Sequence, residues 1–344
     1  LVSKMIRSRL VEPERVILEE VDKPAPRKGE VLVQVATCGI CGSDIHAYYG
    51  RHPFIKCPIV QGHEFSGIVT ELGEDIKTVL IGQRVTVIPH LVCGKCYGCQ
   101  LGKSNLCENL KFIGCQESGA MAEYLAVPAE MTVNLPEEID FEEGALIEPL
   151  AVGVHALRRS NLNQGDRVLI YGAGPIGLLT LQVAKAKGAG EIIIVDLSDS
   201  RLEKAKELSA SYIVNPSKEN LGEYIRTHFP QRGVDLIFEC IGANSTIQEA
   251  VEIARKGTQI IVVGVFGKEV PIKMSWIQDH ELDLLGSCSY LREDFQEAIE
   301  LIQKKKANVK SLITNKLPLA KVAQAYKLIE KQKDKTLKVL LQIK

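Results

Sequence analysis

The sequence predicts a two-part α/β chain in which a doubly wound parallel sheet follows a β-rich segment with long loops. Three observations carry that expectation. After about residue 165, short Ile/Val/Leu runs alternate with helical stretches, as in parallel strands covered on both faces. Between the first run and the first helix lies Gly172-Ala-Gly174-Pro-Ile-Gly177, a glycine string in strand–turn–helix context. Before residue 145 the apolar runs alternate with period two and are broken by Gly, Pro and Asp, the mark of β-rich ground.

In chain order, residues 30–36 place Val31, Val33 and Val35 on one strand face and Leu32, Gln34 and Ala36 on the other. Residues 67–70 and 84–88 read as further strands. Helical spacing runs over 145–159, interrupted by Pro149. Asn163-Gln-Gly-Asp166 is a turn, and strands follow over 167–171, 191–196, 234–241, 258–265 and 282–287. Helices are expected after Leu178, over 199–208 and over 246–255. Beyond residue 290, two helices (292–306 and 319–332) and a strand (336–343) no longer extend the series. No internal repeat is present.

The chain has 344 residues, 45% of them hydrophobic, enough for a large core and about two domains. Lys plus Arg number 42 against 43 for Asp plus Glu. With that balance and no basic stripe, neither nucleic acid nor a membrane is an expected partner. No run reaches the ~18 apolar residues of a membrane span, and residues 1–16 lack the apolar stretch of a signal peptide. A cytoplasmic location is expected. Ten cysteines in such a chain argue for metal or catalysis before disulfides.

The glycine string has its required surroundings. Gly172 allows the tight turn, Gly174 lets the backbone approach a pyrophosphate, and Gly177 lets the helix pack on the sheet. The helix N-terminus offers free N–H groups to phosphates. Asp196 ends the second strand, where a carboxylate accepts from ribose hydroxyls and repels a 2′-phosphate, so NAD is favoured over NADP. Arg201 can pack on the adenine or contact phosphate.

Cys93-Gly-Lys-Cys96-Tyr-Gly-Cys99, followed by Cys107, puts four thiols in one loop. Four ligands leave no open position, which suits a structural zinc. An iron–sulfur cluster is the competing metal reading, and two disulfides the metal-free one. Cys41 is followed by Ser43 and His46, and later by His63 and Glu64. A thiolate, an imidazole and a carboxylate make a three-ligand zinc set with one position open. Glu148, between Ile147 and Pro149, is a further carboxylate candidate. Read from spacing alone, a satisfied core histidine and a helix-capping glutamate remain equal alternatives. Zinc with one thiolate, one carboxylate and a neutral imidazole is formally neutral, yet it still acidifies an alcohol. Ser43 and His46 are placed to pass the released proton to solvent, histidine being the side chain suited to that task.

Taken together, Cys38-Gly-Ile-Cys41-Gly-Ser-Asp-Ile-His46, Gly62-His63-Glu64, the Cys93 to Cys107 loop, Glu148-Pro-Leu-Ala-Val-Gly-Val-His155 and the glycine string resemble the zinc-containing medium-chain alcohol dehydrogenases. The resemblance spans essentially the whole chain. It is strongest to the branch acting on sorbitol and other polyols, threonine and sugar acids. It implies a GroES-like catalytic domain from residues 1–149 and 290–344, with a Rossmann domain from 150–289 inserted. It also implies one catalytic zinc on Cys41 and His63, with Glu64 and Glu148 as direct or water-mediated ligands, and one structural zinc on Cys93, Cys96, Cys99 and Cys107. By the same match Ile176, Asp196, Arg201, the stretch Val263-Gly264-Val265 and the stretch Ser287-Cys288-Ser289 approach NAD.

The implied reaction passes hydride between a secondary alcohol or its ketone and the nicotinamide, in a homo-oligomer, tetramer or dimer. Three positions depart from close branches. Ala47 and Ser289-Tyr290 stand where sorbitol dehydrogenases carry Tyr and Arg-Tyr, and Ser43 where threonine dehydrogenases carry Thr. Losing the Arg removes a rigid donor fork for vicinal hydroxyls. The expected substrate is a polyol, sugar acid or related secondary alcohol. Threonine 3-dehydrogenase is the alternative enzyme, and a catalytically silent nucleotide-binding protein the alternative from another class.

Overall fold

Apolar runs too short to be helices and flanked by helices have one economical arrangement, a parallel sheet covered on both sides. In the computed structural model, which describes residues 3–343, six such runs form one. Their spatial order is Tyr212–Val214, Ile192–Val195, Val168–Tyr171, Leu236–Glu239, Gln259–Val262, Asp283–Gly286. All the pairings are parallel, with Val168 opposite both Ile192 and Leu236. The first strand in sequence lies mid-sheet and the order reverses on either side of it, which opens a crevice beyond its C-terminal end. Val168, Leu169, Ile170 and Tyr171 are fully buried, each large aliphatic contributing about 1.5–3 kcal/mol.

The β-rich part is built on a seven-stranded sheet. Its order is Ile313–Pro318, Lys338–Gln342, Glu30–Gly39, Glu64–Leu72, Arg84–Val87, Thr132–Asn134, with Tyr124–Pro128 also paired to Glu30–Gly39. The alternation expected over residues 30–36 is only half kept. Leu32 is as buried as Val31, Val33 and Val35, because the middle strand is covered on both faces there. Register then does what sequence distance hides. Gly39 sits opposite Leu340 on one side and Glu64 on the other, so three remote segments meet at one end of the sheet.

Contacts divide the chain into Leu1–Glu148 with Val309–Lys344, and Pro149–Asn308. The second division lies later than residue 290, and the difference is the helix Arg292–Gln303. Its buried Asp294 accepts from the Leu291 N–H at 2.8 Å, meets His155 Nδ1 at 2.7 Å and bonds Arg158, all within Pro149–Asn308. The helix Phe141–Arg158 begins four residues before the expected 145 and runs through Pro149 without a break. Asp140 explains the early start: its carboxylate accepts from the Glu143 N–H at 2.9 Å, and Glu143 accepts from the Asp140 N–H at 3.1 Å, a reciprocal cap. Among the described residues no helix is long and apolar enough to cross a membrane.

Candidate metal and nucleotide sites

The strand Glu30–Gly39 runs through Ile40 into Cys41, which opens the short helix Gly42–Tyr48. Asp44, fully buried, accepts from the Cys41 N–H at 2.9 Å. Gln61 donates to the Asp44 carbonyl at 3.0 Å, and the Tyr326 hydroxyl donates to Gln61 at 2.8 Å. That chain of bonds fixes where the Cys41 side chain starts. His63 and Glu64 lie at the head of the strand Glu64–Leu72, 6% and 1% exposed.

Ligand atoms of Cys41, His63 and Glu64 all fall within 4.8 Å of one another. That spread matches donors sharing one ion at ~2.0–2.3 Å. His63 Nδ1 is buried with no hydrogen-bond partner among the described residues, a vacancy that costs free energy unless something meets the ring. Burial disfavours the His63 imidazolium, but Cys41, Cys115 and Asp44 outweigh it and raise its pKa well above the usual range. The same surroundings attract a cation. A zinc ion therefore fits these donors in charge, softness and spacing.

Glu148, 7% exposed, stays outside this trio. Its charge acts instead on Lys338. Lys338 is 4% exposed, and its ammonium donates to both Glu64 oxygens at 2.5 and 2.6 Å and to the Ile40 carbonyl at 3.3 Å. Ser43 Oγ is buried and unpartnered among the described residues. His46, three positions on along the same helix face, is exposed.

In the cysteine lobe the sulfur atoms of Cys93, Cys96, Cys99 and Cys107 also lie within 4.8 Å of one another. The Cys96–Cys99 and Cys93–Cys107 sulfurs are each 3.5 Å apart, and all four thiols are free. A disulfide needs ~2.05 Å, whereas sulfurs around a tetrahedral zinc at ~2.3 Å sit about 3.8 Å apart. The spacing fits the ion and not the two disulfides. The Cys93 N–H points at the Cys107 sulfur at 3.3 Å and the Glu108 N–H at the Cys96 sulfur at 3.5 Å. Backbone N–H groups of Lys95 and Cys96 pull the Cys93 thiol down to about 6, while burial and the neighbouring thiols push Cys99 up to about 12. A ready thiolate on Cys93 beside a protonated Cys99 suits a loop that would take a metal.

The glycine string lies between the strand Val168–Tyr171 and the helix Pro175–Ala186, whose N-terminus carries no side-chain cap. A Cβ on Gly177 would strike the Gly172 carbonyl oxygen at 1.8 Å, while one on Gly174 meets only Arg201, at 3.8 Å. The first glycine is needed for packing, and the second leaves the turn open to a ligand beside the Arg201 guanidinium. Asp196 follows the strand Ile192–Val195, its carboxylate accepting from the Ala173 and Ser198 N–H groups, both at 2.8 Å. The stretches Val263–Val265 and Ser287–Ser289 follow the strands Gln259–Val262 and Asp283–Gly286. Ile176, Asp196, Val263, Gly264, Val265, Ser287, Cys288 and Ser289 thus belong to turns or helix starts at the C-terminal edge of one sheet.

Sequence reasoning missed Asp44, Gln61, Tyr326 and Lys338, and also Glu239. The Glu239 carboxylate accepts from the Ile241 and Gly242 N–H groups at 3.0 and 2.9 Å, and the Val263 and Gly264 N–H groups bond its carbonyl at 2.8 and 2.9 Å. A signal existed for two of them. Glu239 and Lys338 are lone charges in otherwise apolar strand runs, where burial demands a partner.

Comparison with known proteins agrees with this geometry. Residues 175–304 match the zinc-binding dehydrogenase family model, and residues 27–137 the alcohol dehydrogenase GroES-like domain. The chain is 37% identical over 328 residues to the sorbitol dehydrogenase of Halalkalibacterium halodurans, covering 94% of each protein. It is 38% identical over 303 residues to the 2-dehydro-3-deoxy-L-galactonate 5-dehydrogenase of Pseudoalteromonas atlantica, covering 88% of each. A short chain alcohol dehydrogenase of Escherichia coli CFT073, solved with NADH, superposes with a TM-score of 0.94 at 34% identity, over 99% of this chain and 100% of that one. The chain belongs to the zinc-containing medium-chain alcohol dehydrogenase family, in its polyol branch.

Proposed function

We propose that this protein oxidises a secondary alcohol of a polyol or sugar acid with NAD, or reduces the matching ketone. Cys41 and His63 would hold a catalytic zinc together with a carboxylate, and Cys93, Cys96, Cys99 and Cys107 a structural one. The observation that carries the reading is the trio Cys41, His63 and Glu64, half-buried at Cys41 and buried at the other two, whose ligand atoms lie within 4.8 Å of one another. Family membership and the polyol and sugar-acid relatives support it. The homo-oligomeric state expected from the resemblance goes with it.

Bound in place, zinc supplies Lewis acidity that eases loss of an alcohol proton, and the nicotinamide accepts the hydride. The rest falls to side chains of the chain itself. The Ser43 hydroxyl, buried and without a partner among the described residues, takes up the proton of the reacting hydroxyl, and exposed His46 hands it to solvent. Asp44, through the Cys41 N–H, keeps the thiolate aimed. Asp196 supports NAD over NADP, since its carboxylate repels a 2′-phosphate.

The test offers polyols, aldonates and threonine to the zinc-loaded protein and follows NADH formation. Turnover of a polyol or aldonate with NAD, faster than with NADP, is expected. Turnover of threonine alone would move the protein to the other enzyme reading. No turnover of any of them would overturn the proposal.

A further inference from the structure

The ion pair between Lys338 and Glu64 is odd for a metal site. Glu64 is one of three groups spaced to share an ion, yet both its oxygens are already met by one ammonium, at 2.5 and 2.6 Å. Neither partner can turn to water, since Lys338 is 4% and Glu64 1% exposed. The pairing is built into the sheet. The strands of Lys338, Gly39 and Glu64 are adjacent, and a Cβ on Gly39 would lie 2.3 Å from Glu64 Oε2. Glycine therefore clears the space that the carboxylate fills. The ammonium also feels the charges of Cys41 and Glu148, so it lies where a metal's own charge would act.

Charge counting shows the consequence. Zinc with Cys41, neutral His63 and Glu64 sums to zero, and Lys338 adds one positive charge. Zinc and the ammonium then compete for one carboxylate, because each oxygen given to the metal weakens the bond to Lys338. A buried charge stripped of its partner is costly, so whichever cation is removed, Glu64 turns to the other.

Resting on the zinc site proposed above, we infer that Lys338 is a positioning residue that competes with the metal for Glu64 and so sets how fully this carboxylate ligates. Lys338 keeps Glu64 partly withdrawn, which leaves the ion more electrophilic and a ligand position easier to open for substrate.

The test measures zinc release from the whole protein to a chromogenic chelator. The catalytic-site phase is the one that disappears in His63→Ala. In Lys338→Met that phase should slow by about tenfold or more, the size typical for a residue contacting a metal ligand but opposite in sign to a plain supporting role. Lys338→Arg, which keeps the charge, should stay close to the parent. Glu64→Gln and Glu64→Gln/Lys338→Met should release zinc at equal rates, because Lys338 acts through Glu64. Unchanged or faster release in Lys338→Met would overturn the inference. So would a difference between the two Glu64→Gln proteins, and that comparison decides the matter even if Lys338→Met alone does not fold. If the parent shows no His63-dependent phase at all, the zinc site itself fails, which is a separate result.

Discussion

The two groups of side chains proposed to hold metal are assembled in opposite ways. In the cysteine lobe, Cys93 and Cys107 are fourteen positions apart and all four sulfurs come from one loop. The trio of Cys41, His63 and Glu64 is held by a seven-stranded sheet, and the lysine facing it is 274 positions from Glu64. A loop rich in glycine and poor in buried aliphatics has little but the metal to order it. The sheet-borne trio is ordered by Val31, Val33, Phe65 and Leu341, all fully buried. The lobe should therefore need its metal to fold, and the trio should need its metal only to react.

The largest effect that would break this contrast is catalytic. His63→Ala should cut turnover by more than the ~10–100-fold that loss of an outer partner costs, with thermal stability nearly kept and NAD binding retained in fluorescence titration. A collapse of the fold in place of activity would show that the trio is structural. Next in size, Cys107→Ser should remove one zinc per chain by metal analysis and lower Tm by something on the order of 5 °C, with a far smaller loss of turnover than His63→Ala. Similar activity losses for the two variants would erase the distinction.

The smallest effect is kinetic and sharpens the lobe alone. With Cys93 held at about 6 and Cys99 at about 12, Cys93 in the metal-free lobe at pH 7 is a thiolate and Cys99 a thiol. Alkylation should label Cys93 ahead of Cys99, and labelling of Cys93 should slow as the pH falls through about 6, because protonation removes the nucleophile. Mass spectrometry of peptides alkylated at several pH values reads this directly, and preferential labelling of Cys99 would contradict it.

The same contrast governs what could be read before any coordinates. The lobe and the glycine string were legible because their geometry is local: spacing fixes which sulfurs, or which N–H groups, face one point. The parallel sheet was legible because its strands are apolar on both faces. The charge of Lys338 stands out in an apolar run, but its partner does not, since that depends on the pairing of Leu340 with Gly39 and of Gly39 with Glu64. Gln61 and Tyr326 escaped for the same reason, meeting across 265 positions. The helix start at Phe141 was hidden differently. Its cap is Asp140 with Glu143, and the acidic stretch before Gly144 reads as loop until those two side chains are seen to bond the backbone. Spacing alone also left the trio open between metal ligand and satisfied core, and only the ligand distances narrow it.

Asp196 carries a lesson for changing cofactor preference. One of its oxygens holds the Ala173 N–H inside the glycine string and the other holds the Ser198 N–H. The residue proposed to discriminate at the ribose is thus also a strut for the glycine turn. Truncating it to alanine trades selectivity for a slack grip on either dinucleotide. Asparagine would remove the repulsion but keep only one of the two acceptors, because its Nδ2 donates where the second carboxylate oxygen accepts.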